Sequence, residues 1–199
     1  KQKIAAHWGV SAENILMGAG SSEIIGLTAL HVSRKKKKVI TAEPAYKVWN
    51  NQATAFGLTI SRTALTADRK FDLPALAAAV DEDTAMVYIC NPNNPTGTVV
   101  EVPALKNFTM EASKKTMVFI DEAYTEYARL ESLASLAITN KNVVVAKTFS
   151  KIYGLAGARL GYAIAHAETI KKLASYQAWS SFSASTVSVA AASASLDDS

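Results

Sequence analysis

The chain has 199 residues, and 49% of them are hydrophobic, which is enough apolar material to bury the core of one domain. The formal charge is only +4, and the basic run at 35–38 precedes an apolar stretch, which predicts a solvated loop and no nucleic-acid partner. No apolar run approaches the ~20 residues of a membrane span, and the first residues lack the apolar part of a signal peptide, so we expect a cytoplasmic protein. One cysteine, Cys90, excludes an intramolecular disulfide and is expected to be buried and inert. Three histidines without ligand spacing predict no metal site.

Short apolar runs alternate with stretches of helical periodicity along the chain. The runs predict seven β-strands, at 15–17, 39–42, 58–61, 85–90, 117–120, 143–146 and 160–164. The periodic stretches predict helices at 22–31, 46–56, 72–80 and 103–113, with helical pieces at 1–8 and 184–197. Several strands are apolar throughout, which is typical of a mostly parallel sheet covered by helices on both faces. We therefore predict a three-layer α/β fold and a single domain over 1–199, cut at both ends.

Unusual residues cluster directly after five of the predicted strands. In open α/β sheets, ligands bind at the carboxyl ends of the strands, where loops and helix N-termini gather. The five clusters lie at 18–22, 44–46, 91–97, 121–124 and 148–151. The sequence therefore predicts one ligand site built from five loops.

The glycine-rich turn at 18–23 has two interpretations. Backbone N–H groups and the hydroxyls of Ser21 and Ser22 at a helix N-terminus suit a phosphate group. Alternatively, one of these serines is only the N-cap of the following helix. A dinucleotide fingerprint is disfavoured because the third glycine would fall at Glu23.

The next two clusters also have structural alternatives. The segment 91–97 contains Asn, Pro and Gly residues that favour turns, but it could also aim an amide at a ligand. Asp121 ends a buried strand, and a buried carboxylate needs a partner. That partner could be a helix N-terminus, a cation of the protein, or a protonated heterocyclic nitrogen.

The segment 148–162 is the most informative. It combines Lys151, flanked by hydroxyl groups, with small residues and with Arg159 eight positions later. Most lysines lie on the surface, so Lys151 alone would predict nothing.

Taken together, these motifs give the chain a resemblance to a known family. Ser-Lys with Gly-Leu-Ala-Gly-x-Arg, Asn-Pro-x-Asn-Pro-Thr-Gly and Asp-Glu-Ala-Tyr occur in family order between Asn14 and Tyr162. The chain resembles the fold type I pyridoxal-phosphate aminotransferases, most closely the histidinol-phosphate aminotransferase branch. The resemblance implies pyridoxal 5'-phosphate as cofactor and a homodimer as the assembly.

The resemblance also implies roles for individual residues. Lys151 would bind the cofactor aldehyde covalently and carry protons, Asp121 would pair with the ring nitrogen, and Tyr124 would bond the phenolic oxygen; these three would be catalytic. The other implied cofactor-binding residues are Ser21, Ser22, Thr148, Ser150 and Arg159 at the phosphate, Tyr46 on the ring face and Asn94 at the phenolic oxygen. Because Lys151 would lie near a cationic arginine in a closed site, we expect its pKa to be depressed.

The implied activity is transfer of an amino group from an amino-acid donor to a 2-oxo acid acceptor. A decarboxylase acting on an amino-acid phosphate could use the same residues, and a non-catalytic regulatory module or a nucleotide-binding dehydrogenase are weaker alternatives. The family's N-terminal segment and small C-terminal domain are absent from this sequence, and the latter carries the arginine that binds the substrate carboxylate. The sequence therefore leaves the substrate open.

Overall fold

A computed structural model describes residues 1–34, 37–177 and 184–198. Its centre is one seven-stranded sheet. The strands are β1 (Ile15–Gly18), β2 (Lys38–Glu43), β3 (Thr59–Ala64), β4 (Thr84–Cys90), β5 (Met117–Asp121), β6 (Val143–Thr148) and β7 (Gly161–Ile164). All seven strands predicted from the sequence are present.

The strand order across the sheet is β1-β7-β6-β5-β4-β2-β3. The pairs β2 with β3, β2 with β4, β4 with β5 and β5 with β6 are parallel, whereas β7 is antiparallel to both of its neighbours, β1 and β6. Six strands therefore end at the same edge of the sheet, and β7 begins there. The mostly parallel α/β fold predicted from the sequence is confirmed.

Eight α-helices within the described ranges connect and flank the strands. They are α1 (Gln2–Trp8), α2 (Ser21–Ser33), α3 (Val48–Ala55), α4 (Leu73–Ala79), α5 (Val102–Ala112), α6 (Ala134–Thr139), α7 (Ala167–Ala174) and α8 (Thr186–Ser195). The four predicted internal helices correspond to α2, α3, α4 and α5, and the terminal pieces to α1 and α8. Helices α6 and α7 were not predicted from the sequence.

The core lies on the central strands, where β4, β5 and β6 are buried along their whole length. Strand β3 is at the edge of the sheet, and all of its residues are exposed or half-buried, which is consistent with its polar composition. The continuous apolar runs of the central strands have the opposite cause, because helices cover both of their faces.

The expectation of a solvated loop at 35–38 is only partly met. Lys35 and Lys36 lie outside the described residues, and Lys37 is exposed. Lys38 instead begins β2 and forms an ion pair with the side chain of Asp81, with only 22% of its own side chain exposed. The apolar strand therefore starts one residue earlier than its apolar run suggests.

Within the described ranges, none of the helices has the length and the apolar character that crossing a bilayer requires.

Candidate active site

A cavity of about 160 Å³ opens at the edge of the sheet where the six strands end. It is lined by Ser21, Ser22, Tyr46, Cys90, Asp121, Ala123, Tyr124, Thr148, Ser150, Lys151, Ala156 and Arg159. Of the residues that the sequence singled out for a site, all except Asn94 line this cavity. Because β7 runs antiparallel, its start brings Arg159 to the same edge as the five loops.

The glycine-rich turn leads directly into α2. Gly20, with φ of 84°, is the N-cap of this helix, and no side chain caps it. The interpretation of Ser21 or Ser22 as the N-cap is therefore wrong, because both serines lie inside the first turn. Both serines line the cavity, and neither side chain caps the helix. The turn is held by Glu23, whose carboxylate accepts the backbone N–H of Ala19.

The start of β7 lies unusually close to this turn. A Cβ atom at Gly161 would be 2.5 Å from the backbone nitrogen of Ser21 and 2.9 Å from the carbonyl oxygen of Lys147. A Cβ atom at Gly20 would be 2.6 Å from the guanidinium of Arg159. Glycine at both positions lets the Arg159 loop pack on the N-terminus of α2.

Arg159 has the left-handed backbone conformation, with φ of 51°, which is uncommon for a residue with a side chain. Its guanidinium donates to the carbonyl of Ala156 at 2.8 Å and, more weakly, to the hydroxyl of Ser150 at 3.5 Å. No ion pair joins Arg159 to a carboxylate in the part of the chain that the structure describes. A cation, several hydroxyls and a helix N-terminus thus meet at one end of the cavity, and all of them favour an anion.

Asp121 is the acidic group of the cavity, and only 1% of its surface is exposed. One oxygen accepts the hydroxyl of Tyr88 at 2.8 Å, and the other accepts the backbone N–H of Ala123 at 3.2 Å. Burial raises the pKa of this carboxyl to about 6, although the hydrogen bonds from Tyr88 and Ala123 oppose the rise. Of the three partners considered from the sequence, a salt bridge to a cation of the protein does not occur among the described residues.

The expectation for the pKa of Lys151 is wrong in this structure. The pKa of its amine lies above the ordinary value, first because of a hydrogen bond with Tyr124, and burial opposes this rise only in part. The amine also lies 5.1 Å from the centre of the Tyr124 ring. The phenol of Tyr124, and not the cation Arg159, is the first cause of the shift.

The asparagines of the loop at 91–97 have two kinds of role, since some hold the loop in place and one contacts a residue of the cavity. The side chain of Asn91 bonds both backbone groups of Val100, and Asn93 donates to the carbonyl of Pro44. Asn94 instead donates to the hydroxyl of Tyr124 at 3.1 Å. Asn94 therefore reaches the cavity through Tyr124.

Cys90 lies at the inner wall of the cavity and is buried, as the sequence predicted. Its thiol donates to the carbonyl of Pro92 at 3.2 Å, and burial raises the thiol pKa well above its ordinary value.

A buried ionic network behind the cavity was missed by the sequence analysis. The Lys147 amine, only 2% exposed, lies 3.1 Å from a carboxylate oxygen of Glu122 and 2.9 Å from one of Glu126. It also lies 4.6 Å from the centre of the Trp8 ring. Glu122 further accepts bonds from the backbone of Leu133 and the hydroxyl of Ser132. A lysine within β6, directly after its apolar run, was the available signal, because a buried amine requires a carboxylate partner.

Replacing Lys147 with alanine is expected to lower the free energy of unfolding by about 3 to 5 kcal/mol, because Glu122 would keep a buried charge without its cation. Chemical denaturation measures the change. The matched control is Lys114→Ala, which removes an exposed pair with Glu111 and should cost less than about 1 kcal/mol. Equal effects of the two substitutions would contradict the assignment.

Comparison with known proteins agrees with this arrangement. The family model described as aminotransferase class I and II matches residues 1–199. Histidinol-phosphate aminotransferase from Bacillus cytotoxicus is 40% identical over 201 residues, covering 100% of this chain and 54% of the relative, and histidinol-phosphate aminotransferase 1 from Bacillus cereus has the same identity and coverage. The crystal structure of histidinol-phosphate aminotransferase from Sinorhizobium meliloti, in complex with pyridoxal-5'-phosphate, superposes with a TM-score of 0.88 at 32% identity, covering 99% of this chain and 54% of that one.

The chain spans about half the length of the curated relatives that it matches. The residues that the family model matches include Lys151, Asp121 and Arg159 of the cavity, and they include the strands of the sheet at whose edge the cavity lies. The chain belongs to the aminotransferase class I and II family.

Proposed function

We propose that this chain is the large, cofactor-binding domain of a pyridoxal-phosphate-dependent aminotransferase. The enzyme would transfer an amino group from an amino acid, or an amine derived from one, to a 2-oxo acid. The observation that carries the proposal is the cavity itself, in which the buried carboxylate at the end of β5 meets an amine and a guanidinium from the connection between β6 and β7.

The anionic end of the cofactor fits the donor set around Arg159. The guanidinium gives a planar fork for phosphate oxygens, and Ser21, Ser22 and Ser150 add hydroxyl donors beside the N-terminus of α2. The close packing at Gly20 and Gly161 keeps these donors together.

The ring of the cofactor fits the remaining residues. Asp121 offers a buried carboxylate without a cation, which suits a protonated ring nitrogen. Tyr46 supplies an aromatic face, and the bonded pair of Asn94 and Tyr124 suits the phenolic oxygen. When bound, pyridoxal phosphate supplies an aldehyde that accepts the amino group and a protonated ring that withdraws electrons.

Lys151 would have two roles, as the covalent anchor and as the proton carrier. Its amine is reachable, since it lies on the exposed side of the cavity. An amine acts as a nucleophile or base only without its proton, so the raised pKa means that Lys151 must give up a proton before it reacts. The amine is exposed, so that proton can leave to solvent, while Tyr124, its hydrogen-bond partner, holds the amine in place. The free amine would then remove the proton from the substrate α-carbon.

The names of the relatives suggest the first substrate to test. Two relatives at 40% identity are named histidinol-phosphate aminotransferase, so histidinol phosphate is our proposed donor class, with a 2-oxo acid as acceptor. We also propose a cytoplasmic homodimer, which sedimentation of the purified protein would test.

The decisive experiment is reductive trapping followed by a donor screen. The protein is incubated with pyridoxal phosphate, reduced with borohydride and digested, and the modified lysine is identified by mass spectrometry. We expect modification of Lys151, because Lys147 is buried in its ion pairs and unavailable. Modification of Lys171 alone, or of no lysine, would contradict the proposal. The screen then offers histidinol phosphate and other donors and follows formation of an amino acid from the 2-oxo acid acceptor, and release of carbon dioxide from a donor that carries a carboxylate would instead indicate a decarboxylase.

A further inference from the structure

Within the described part of the chain, Tyr88 is the side chain that donates a hydrogen bond to Asp121. Its hydroxyl donates to the carboxylate at 2.8 Å, and both residues are buried. Tyr88 lies in β4, two residues before its end, and is not one of the residues that line the cavity. Its hydroxyl nevertheless contacts Asp121, which does line it.

The register of β4 and β5 accounts for this contact. Cys90 pairs with Asp121, and two residues earlier Tyr88 pairs with Phe119. Residues two apart point to the same face, so Tyr88 lies diagonally across from Asp121, and long aromatic side chains bridge such diagonals. A one-residue shift of register would turn the hydroxyl to the other face.

Two other aromatic rings stack on the ring of Tyr88. Trp49 stacks on it with a centroid distance of 5.3 Å and an interplanar angle of 6°. Phe119 stacks on it at 5.7 Å and 24°. Tyr88 and both neighbours are fully buried, so the hydroxyl has one direction in which to point.

We propose that Tyr88 is a positioning residue, whose hydroxyl fixes the orientation of the Asp121 carboxylate and weakens it as a base, so that the proton stays on the ring nitrogen of bound pyridoxal phosphate. The inference rests on the proposed function. Its chemistry follows from two opposed influences on Asp121. Burial makes the carboxylate a stronger base than an exposed one, and a stronger base draws the proton off the ring nitrogen. The hydrogen bond from Tyr88 stabilises the charged carboxylate and opposes this.

Several titratable groups face Asp121 and influence the pKa of its carboxyl together with Tyr88. From β4 these are Tyr88 and Cys90, from the end of β5 Glu122, and from the loop after β6 Lys151. Burial dominates the rise in the pKa of Asp121, and the Tyr88 hydrogen bond is the largest influence that lowers it. The pKa of Tyr88 is itself raised well above its ordinary value, first by burial and then by the Asp121 charge, so its hydroxyl remains a donor.

The first test uses the protein without cofactor and so does not depend on the proposed function. The side-chain carboxyl carbon of Asp121 is followed by NMR from pH 4 to 9 in the parent and in Tyr88→Phe. We expect the midpoint in Tyr88→Phe to move upward by about one pH unit, the scale of a hydrogen bond to a charged group. An unchanged midpoint overturns the proposal and leaves the proposed function standing.

The matched control is Tyr162→Phe. Tyr162 is equally buried, but its hydroxyl accepts from the indole of Trp8 at 2.8 Å. We expect this variant to lose stability without moving the Asp121 midpoint. An equal shift in both variants would mean that Tyr88 acts only through general packing, and the positioning role would be wrong.

A measurement on the parent alone covers the case in which Tyr88→Phe does not fold. The Cζ signal of Tyr88 should move with the same midpoint as the Asp121 carboxyl, because the phenol is bonded to that group. A Cζ signal that stays constant through the Asp121 titration overturns the proposal.

The last test measures whether the ring nitrogen of the bound cofactor is protonated. With ¹⁵N-labelled pyridoxal phosphate bound, the ring nitrogen should be protonated in the parent and in Tyr162→Phe, and less protonated in Tyr88→Phe at the same pH. Full protonation in all three would overturn the proposed effect on the ring. A parent that fails to bind the cofactor would instead contradict the proposed function, while the result of the carboxyl titration would remain valid.

Discussion

Replacing Lys151 with alanine is expected to lower the rate of transamination by about 100- to 10,000-fold, the range that a positioned general base contributes. The cofactor should still bind, because Arg159, the serines and Asp121 do not depend on the amine. Borohydride should no longer attach the cofactor to the chain. Steady-state assays, equilibrium dialysis and mass spectrometry measure these three effects separately.

The matched control for this substitution is Lys171→Ala. Lys171 is an exposed lysine of α7, so its loss removes the same group from a surface site. We expect parental rates and parental trapping in this control. A Lys151→Ala variant that transaminates at close to the parental rate would remove Lys151 from the catalytic role.

The fold was predictable because its signals are local. Each central strand contains a run of apolar residues, such as 143–146 in β6. A strand that helices cover on both faces is typically apolar on both, so its apolar residues are continuous. The position of the cavity followed from one further rule, that parallel strands bring their following loops to one edge. The reversed direction of β7 was not predicted, because an apolar run carries no direction.

The electrostatics of the site were less predictable, because they depend on contacts between distant residues. From the sequence, Asp121 was expected to pair with a helix N-terminus, a cation of the protein or a protonated ring nitrogen, and the contact with Tyr88, 33 residues earlier, was not predicted. It expected Arg159 to control the pKa of Lys151, whereas Tyr124 is the first cause of the shift. A tyrosine within a wholly apolar strand was a usable signal, since a buried hydroxyl requires a partner.

The buried charged groups Lys147 and Asp121 have opposite electrostatic environments. Lys147 is surrounded by two carboxylates and an aromatic ring, so its charge is compensated within the protein. Asp121 receives only hydrogen bonds, and its raised pKa records the missing counter-charge. A site that must accept a cationic ring is expected to hold such an uncompensated carboxylate, at a cost to stability.

Replacing Asp121 with asparagine is expected to lower the rate of transamination by about 100- to 1,000-fold, the range for losing one electrostatic group of an active site. The amide cannot hold the ring nitrogen protonated, so the electron-withdrawing ring is weakened while the amine of Lys151 remains. Cofactor trapping on Lys151 should therefore persist. The exposed control Asp68→Asn should show parental activity, since Asp68 forms only a long surface contact of 4.0 Å with Lys70.

The same substitution should stabilise the protein when the cofactor has been removed. The pKa of Asp121 is raised from an ordinary 3.8 to about 6, so this group favours the folded state below pH 4, and that contribution is lost as the pH rises through 6. Asparagine has no charge to bury, and its amide can still bond both Tyr88 and the backbone of Ala123. Above pH 7, we expect the free energy of unfolding of Asp121→Asn to exceed that of the parent by about 2 to 3 kcal/mol. This difference should shrink toward pH 4. Urea denaturation across this range measures the difference, and a gap that is constant with pH would show that the buried charge is not its cause.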